Sequence, residues 1–196
     1  MWHRVAGWFL CATSLAAGLT GCQDRATPRP PAGAAVAGSS PARPTFDETK
    51  GYLHKPSGVG FVYPDGWENL GVTDRGPITS LGLRKREPPV EVTLYWTRPD
   101  VPTDPTNVGD VEYEALRSVY GDKVGKPEPM RNGEQPGYRL AISGGPIGEG
   151  SPALSGVVYV FAVRREGQPW KIKLRATAKG REHLSLAEEL LKNYRW

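Results

Sequence analysis

The chain has 196 residues, a formal charge of +4 and a pI near 9.1. Its Lys and Arg residues are scattered along the sequence rather than gathered into one face or run, which argues against nucleic acid as a partner. The two cysteines, Cys11 and Cys22, both lie near the N-terminus, so the rest of the chain offers no thiol for catalysis, disulfide formation or metal ligation.

The chain opens with the short, weakly positive stretch Met1-Trp2-His3-Arg4, followed by the apolar run Val5 to Leu19. That run of about fifteen residues is short for a membrane-spanning helix, which needs roughly twenty. Gln23, Asp24 and Arg25 follow closely after it. The pattern predicts a signal peptide over residues 1–21. Leu19-Thr20-Gly21-Cys22 resembles a bacterial lipobox, with small residues directly before a cysteine. The resemblance implies that the chain is cut before Cys22 and that Cys22 carries a diacylglyceryl group. Two or more acyl chains give stable membrane anchoring where one does not. Gln23 rather than Asp follows the cysteine, which favours the outer over the inner membrane under the retention rule of enterobacteria.

From residue 22 to residue 46 the composition shifts. Pro28, Pro30, Pro31, Pro41 and Pro44 alternate with Ala, Gly and Ser, and almost nothing large and apolar is present. The stretch is predicted to be a disordered tether, reaching roughly 75 Å if fully extended as polyproline II.

Residues 47–196 are predicted to form a single domain. Gly51–His54 and Val59–Tyr63 form two short strands around Pro56-Ser57-Gly58. Pro64-Asp65-Gly66 is a tight turn that throws Trp67 inward. Ile78–Leu83 is a strand. Val90–Thr97 alternates cleanly, with Val90, Val92, Leu94 and Trp96 on one face and Glu91, Thr93, Tyr95 and Thr97 on the other. Asp110–Tyr120 is a helix capped by Asp110, with Val111, Ala115, Leu116 and Val119 on its apolar face and Gly121 at its end. Tyr138–Ser143, Leu154–Arg164 and Trp170–Thr177 are strands. The middle one is apolar on both faces, as in a sheet centre. In the last, Trp170, Ile172, Leu174 and Ala176 point inward, and Lys171, Lys173 and Arg175 outward. Ser185-Leu186-Ala187-Glu188 matches a capping box and starts a final helix with Leu186, Leu190, Leu191 and Tyr194 as its stripe.

Strands, helix, strands, helix, joined largely by hairpin-length connections, predict an α+β fold with a mainly antiparallel sheet flanked by helices. This order, together with Gly60-Phe61-Val62-Tyr63-Pro64-Asp65-Gly66-Trp67, resembles small bacterial lipoproteins with a Mog1/PsbP-like domain. The resemblance implies an αβα sandwich and a role in protein assembly or ligand binding at a membrane. It carries no catalytic residues.

The inventory of reactive groups points the same way. Gly144–Ser151 is glycine-rich, but it lacks Lys-Ser/Thr and precedes a strand, so it does not make a phosphate loop. His54 and His183 stand far apart without ligand spacing and read as surface or interface histidines. No G-x-S-x-G motif is present. The chain is expected to be noncatalytic, with no cofactor and no metal. Lys171, Lys173 and Arg175 form a basic stripe on a solvated strand face. With an exposed Tyr95, they are the candidate binding face for anionic headgroups or an acidic partner. The expected function is a membrane-anchored binding or assembly module of the cell envelope, working with an unidentified envelope protein. The alternative is a binder of a small molecule, glycan or anionic lipid.

Overall fold

The computed structural model describes residues 46–100, 103–146 and 153–196. The predicted leader, the lipobox with Cys22, the tether up to residue 45 and most of the glycine-rich stretch after Ser143 lie outside the described residues. Among the described residues no helix is long and apolar enough to cross a membrane.

The elements are β1 (Gly51–His54), β2 (Val59–Val62), β3 (Glu68–Arg75), β4 (Ile78–Lys85), β5 (Val90–Thr97), α1 (Val108–Tyr120), β6 (Glu128–Asn132), β7 (Gln135–Pro146), β8 (Ala153–Arg165), β9 (Gln168–Ala178), α2 (Ser185–Glu189) and β10 (Tyr194–Arg195). Short 3-10 turns flank α2. The architecture is α+β. Seven antiparallel strands form one sheet in the order β3-β4-β5-β9-β8-β7-β6, and β1, β2 and β10 form a small second sheet.

The large sheet separates two cores. On one face, Leu81, Leu83, Val92, Leu94, Trp96, Tyr159, Phe161, Ile172 and Leu174 pack against Val59 and Phe61 of the small sheet and against Leu184, Ala187, Leu190, Leu191 and Tyr194 of the C-terminal segment. On the other, Leu140, Ile142, Val158, Val160 and Ala162 pack beneath Val108 and Leu116 of α1. Strand β8 feeds both cores, which is why its sequence is apolar on both faces. The hairpin between β8 and β9 turns on Glu166-Gly167. Both residues have positive φ, as a two-residue turn matching the strand twist requires.

Several elements depart from the sequence reading. Strand β3 was not expected, because all eight of its residues are exposed and burial leaves no alternation to read. Its hydrogen bonds to β4 define it. Edge strand β6 was missed for a similar reason, carrying Pro129 and no alternating apolar set. Helix α1 starts at Val108, so Asp110 sits in its first turn rather than capping it. Its buried face is Val108, Gly109, Glu112 and Leu116, whereas Val119 is 72% exposed. The capping box does not form: the Ser185 hydroxyl donates to the carbonyl of Glu182. The final helical segment is a single α turn flanked by 3-10 turns, and Tyr194 belongs to β10, opposite Phe61. Trp67 is half-buried at the edge of the core, beneath the ammonium of Lys85.

Candidate binding site

The predicted basic stripe is where the alternation put it, on the polar face of β9, but that face is not open. Helix α1 crosses it and inserts Glu112, which is 1% exposed. Lys171 Nζ lies 2.9 Å from Glu112 Oε2 and Lys173 Nζ 2.9 Å from Oε1, so each carboxylate oxygen takes one ammonium. The lysine side chains are only 15% and 21% exposed. Burial by itself would raise the Glu112 carboxyl, but Lys173 and Lys171 outweigh it and hold the group below the ordinary carboxylate value. Arg175 donates to the hydroxyl of Tyr120 and stacks on its ring. Tyr95 is half-buried opposite Lys173, whose ammonium lies 4.9 Å from the ring centre. The expectation of a solvated stripe with an exposed Tyr95 is thus corrected: these groups fasten α1 to the sheet. Gly109 lets the helix come close, since a Cβ there would meet the Tyr138 ring at 2.5 Å.

The two histidines sit in different environments. His54 is buried rather than superficial, between the rings of Trp96 and Trp170. Burial lowers its pKa, against a smaller upward pull from Asp74. Its Nδ1 lies 2.9 Å from Ser57 Oγ, a pairing that superficially resembles a base and a nucleophile. Both residues are buried, however, and the hydroxyl also accepts the Val59 N–H within the β1–β2 turn. The pair closes a turn. His183 is half-exposed beside Glu182. Among the described residues no cluster of His, Cys, Asp or Glu could hold a metal ion.

A cleft of about 400 Å³ opens between the β7–β8 ladder and the C-terminal helical segment. Its floor includes Ala141, Ile142, Gly156 and Leu184. Polar groups line it: Arg139 from β7, Tyr159 from β8, Arg181 before α2, and the hydroxyls of Ser143, Ser155 and Ser185. Arg139 and Tyr159 face each other across the ladder. Glu128 on β6 holds Arg139 through a 2.8 Å ion pair, which fixes the guanidinium at the cleft wall. Burial and the nearby Glu188 both push the Tyr159 phenol upward, so it stays a neutral donor. The cleft combines two cations, the carboxylates Glu182 and Glu188, and several hydroxyls over a partly apolar floor. Such a set can orient a polar ligand by hydrogen bonds and ion pairs. Sequence reasoning missed this site. Its residues come from separate elements with no spacing motif, and only the register brings Arg139 to Tyr159.

No known family profile and no curated protein matches the chain. The fold resembles that of LpqN, a protein involved in cell envelope biogenesis of Mycobacterium tuberculosis, with a TM-score of 0.52 and 18% identity over 72% of this chain and 86% of that one. The likeness extends to the fold.

Proposed function

We propose that the chain is a lipid-tethered, noncatalytic binding module of the bacterial cell envelope. The cleft of Arg139, Tyr159 and Arg181 is its working site. That cleft carries the reading, because it gathers donors and acceptors from Arg139, Tyr159, Arg181, Glu182 and Glu188 over a partly apolar floor. Two further observations support it. Leu19-Thr20-Gly21-Cys22 supplies an anchor signal and the proline-rich stretch a tether. The fold is shared with LpqN, which is involved in cell envelope biogenesis. Under this reading Cys22 holds the protein to a membrane, with the outer membrane favoured by Gln23, and the domain docks an envelope partner.

The test has two arms. Parent protein should fractionate with membranes, and Cys22→Ala should move to the soluble fraction. Arg139→Ala should then lose complementation of a deletion strain while its folding is retained. Full complementation by both variants would refute the reading. A second reading, binding of a small polar ligand, is favoured by the cleft's volume, which is in the range of small-molecule sites. It predicts that a ligand from envelope extracts raises the Tm of the parent but not of Arg139→Ala.

A further inference from the structure

Strands β3, β4 and β5 share a ladder row in which Asp74 lies opposite Thr79, and Thr79 opposite Trp96. Side chains opposite one another in an antiparallel ladder project to the same face, so all three point to the side covered by the small sheet. Burial falls toward the edge of that row: Trp96 and Thr79 are buried, and Asp74 is exposed. The cover of the small sheet therefore ends before the row does. Tyr52 of β1 stands over Trp96, with ring centres 5.2 Å apart. Its register partner is Phe61, and Tyr63, two residues beyond Phe61, turns to the same side. Both tyrosines are half-buried at the rim of the core. Between them and Asp74 opens a cleft of about 490 Å³.

The two carboxylates that line it differ. Glu48 is matched by Lys55 at 3.6 Å. The Asp74 carboxylate makes no ion pair or hydrogen bond among the described residues. Its charge reaches the groups around it all the same. Burial first, then Asp74 and Tyr63, raise the Tyr52 phenol, which stays neutral. Burial lowers His54, and Asp74 pulls against it. The cleft thus joins the rings of Tyr52 and Tyr63 to an uncompensated negative charge at its mouth.

We propose that this cleft binds an alkylated ammonium group. The Asp74 carboxylate meets its charge, and the half-buried rings of Tyr52 and Tyr63 take its alkyl substituents. A cation that carries methyl or methylene carbons is drawn to the negative face of an aromatic ring and packs against it. A bare metal cation needs several hard ligands, and no such cluster exists among the described residues. An anion would be repelled by Asp74. This chemistry is shared by the headgroup of a choline lipid and by a soluble amine. The inference does not rest on the Arg139 cleft, with which this one shares no lining residue.

The experiment uses the full chain carrying Cys22→Ala. Tetramethylammonium, its neutral counterpart tert-butanol, and potassium are titrated while amide resonances are followed by NMR. Tetramethylammonium is expected to shift Tyr52, Tyr63, Asp74 and Thr79 saturably, tert-butanol to bind more weakly, and potassium to leave them unmoved. Asp74→Asn should weaken tetramethylammonium binding by about fivefold, the upper range for a partly exposed ion pair. Tyr63→Leu should weaken it as well and Tyr63→Phe should not, because the ring rather than the hydroxyl makes the contact. Glu134→Gln, exposed in the β6–β7 turn at the other edge of the sheet, should bind as the parent does. Should Tyr63→Leu fold poorly, Asp74→Asn carries the comparison, since that side chain is exposed. Vesicles of phosphatidylcholine and of phosphatidylglycerol separate the two sources. Asp74-dependent sedimentation with phosphatidylcholine alone identifies a lipid headgroup, and tetramethylammonium binding without sedimentation identifies a soluble amine. No tetramethylammonium shift at these residues, equal binding of tert-butanol, or equal binding by Asp74→Asn overturns the proposal.

Discussion

Replacing Glu112 by Gln tests how α1 is held to the sheet. The carboxylate is buried, and each oxygen sits 2.9 Å from a lysine ammonium. Glutamine keeps the shape but removes the charge, and its amide nitrogen turns a donor toward one of the two ammoniums. Removing one partner of a buried ionic cluster costs about 3–5 kcal/mol, largely because the surviving charges are left uncompensated. The lysines are partly exposed and retain some water, so the lower half of that range applies. For a domain of about 150 residues, 1 kcal/mol moves Tm by roughly 2–4 °C, which predicts a fall of about 10 °C. Thermal melting followed by circular dichroism, on the lipid-free chain, reads this directly. The pH dependence supplies a second signature. The Glu112 pKa is lowered in the folded state, so its stabilisation is complete above the unfolded value near 4.5 and is lost as pH falls through the folded value. The parent should therefore lose stability steeply in acid, and Glu112→Gln should show a flatter profile over that range. Replacing the triad together, with Glu112→Leu, Lys171→Met and Lys173→Met, should recover much of the lost stability, because no stranded charge remains. A Tm change of only a degree or two in Glu112→Gln would refute the argument that the triad fastens the helix.

Other substitutions probe separate links. Gly109→Ala gains about 1 kcal/mol of helix propensity. It also places a methyl against the Tyr138 ring, so a net destabilisation of about 1–3 kcal/mol is expected in urea titrations. His54 is buried with a lowered pKa, so protonation favours the unfolded chain and stability should fall as pH drops below about 6.5. His54→Gln should reduce the slope of Tm against pH between neutrality and mild acid. Phe46 lies over Gly51 and Gly60, where an added Cβ would meet its ring at 2.7 and 2.5 Å. A chain beginning at residue 47 should accordingly melt at a lower temperature than one beginning at residue 23.

Most of the sheet was legible because burial wrote a period of two into it. Val90–Thr97 and the strand around Ile172 alternate so regularly that Val90, Val92, Leu94, Trp96, Ile172, Leu174 and Ala176 are buried as read, and only Trp170, at the strand's start, is partly exposed. The signal failed where burial did. Strand β3 is solvated on both faces, with Leu70 46% exposed, so nothing in its own residues distinguishes it from a loop. Helix α1 misled for the opposite reason. Its apolar positions Ala115 and Val119 face solvent, and its buried face is organised by a glutamate.

The basic stripe explains that inversion. Alternation fixes which side of a strand is polar, and it does not say what lies against that side. Lys171, Lys173 and Arg175 give three cations on one strand face, which on an uncovered sheet would be an anion-binding surface. In this fold the same face lies beneath a helix, and a helix crossing it is stable there only if it brings a compensating anion. Glu112 supplies that anion, and Tyr120 accepts from the remaining guanidinium. The charge therefore serves packing at the centre of the sheet. Cations away from α1 keep their water, as Arg181 does at the Arg139 cleft and Lys179 does just past the end of β9. Binding chemistry in this domain is accordingly expected at the ends of the strands, on side chains whose sequence neighbours carry no pattern. Substitutions there should change ligand affinity with little effect on Tm, and substitutions at Glu112, Lys171 or Lys173 should do the reverse.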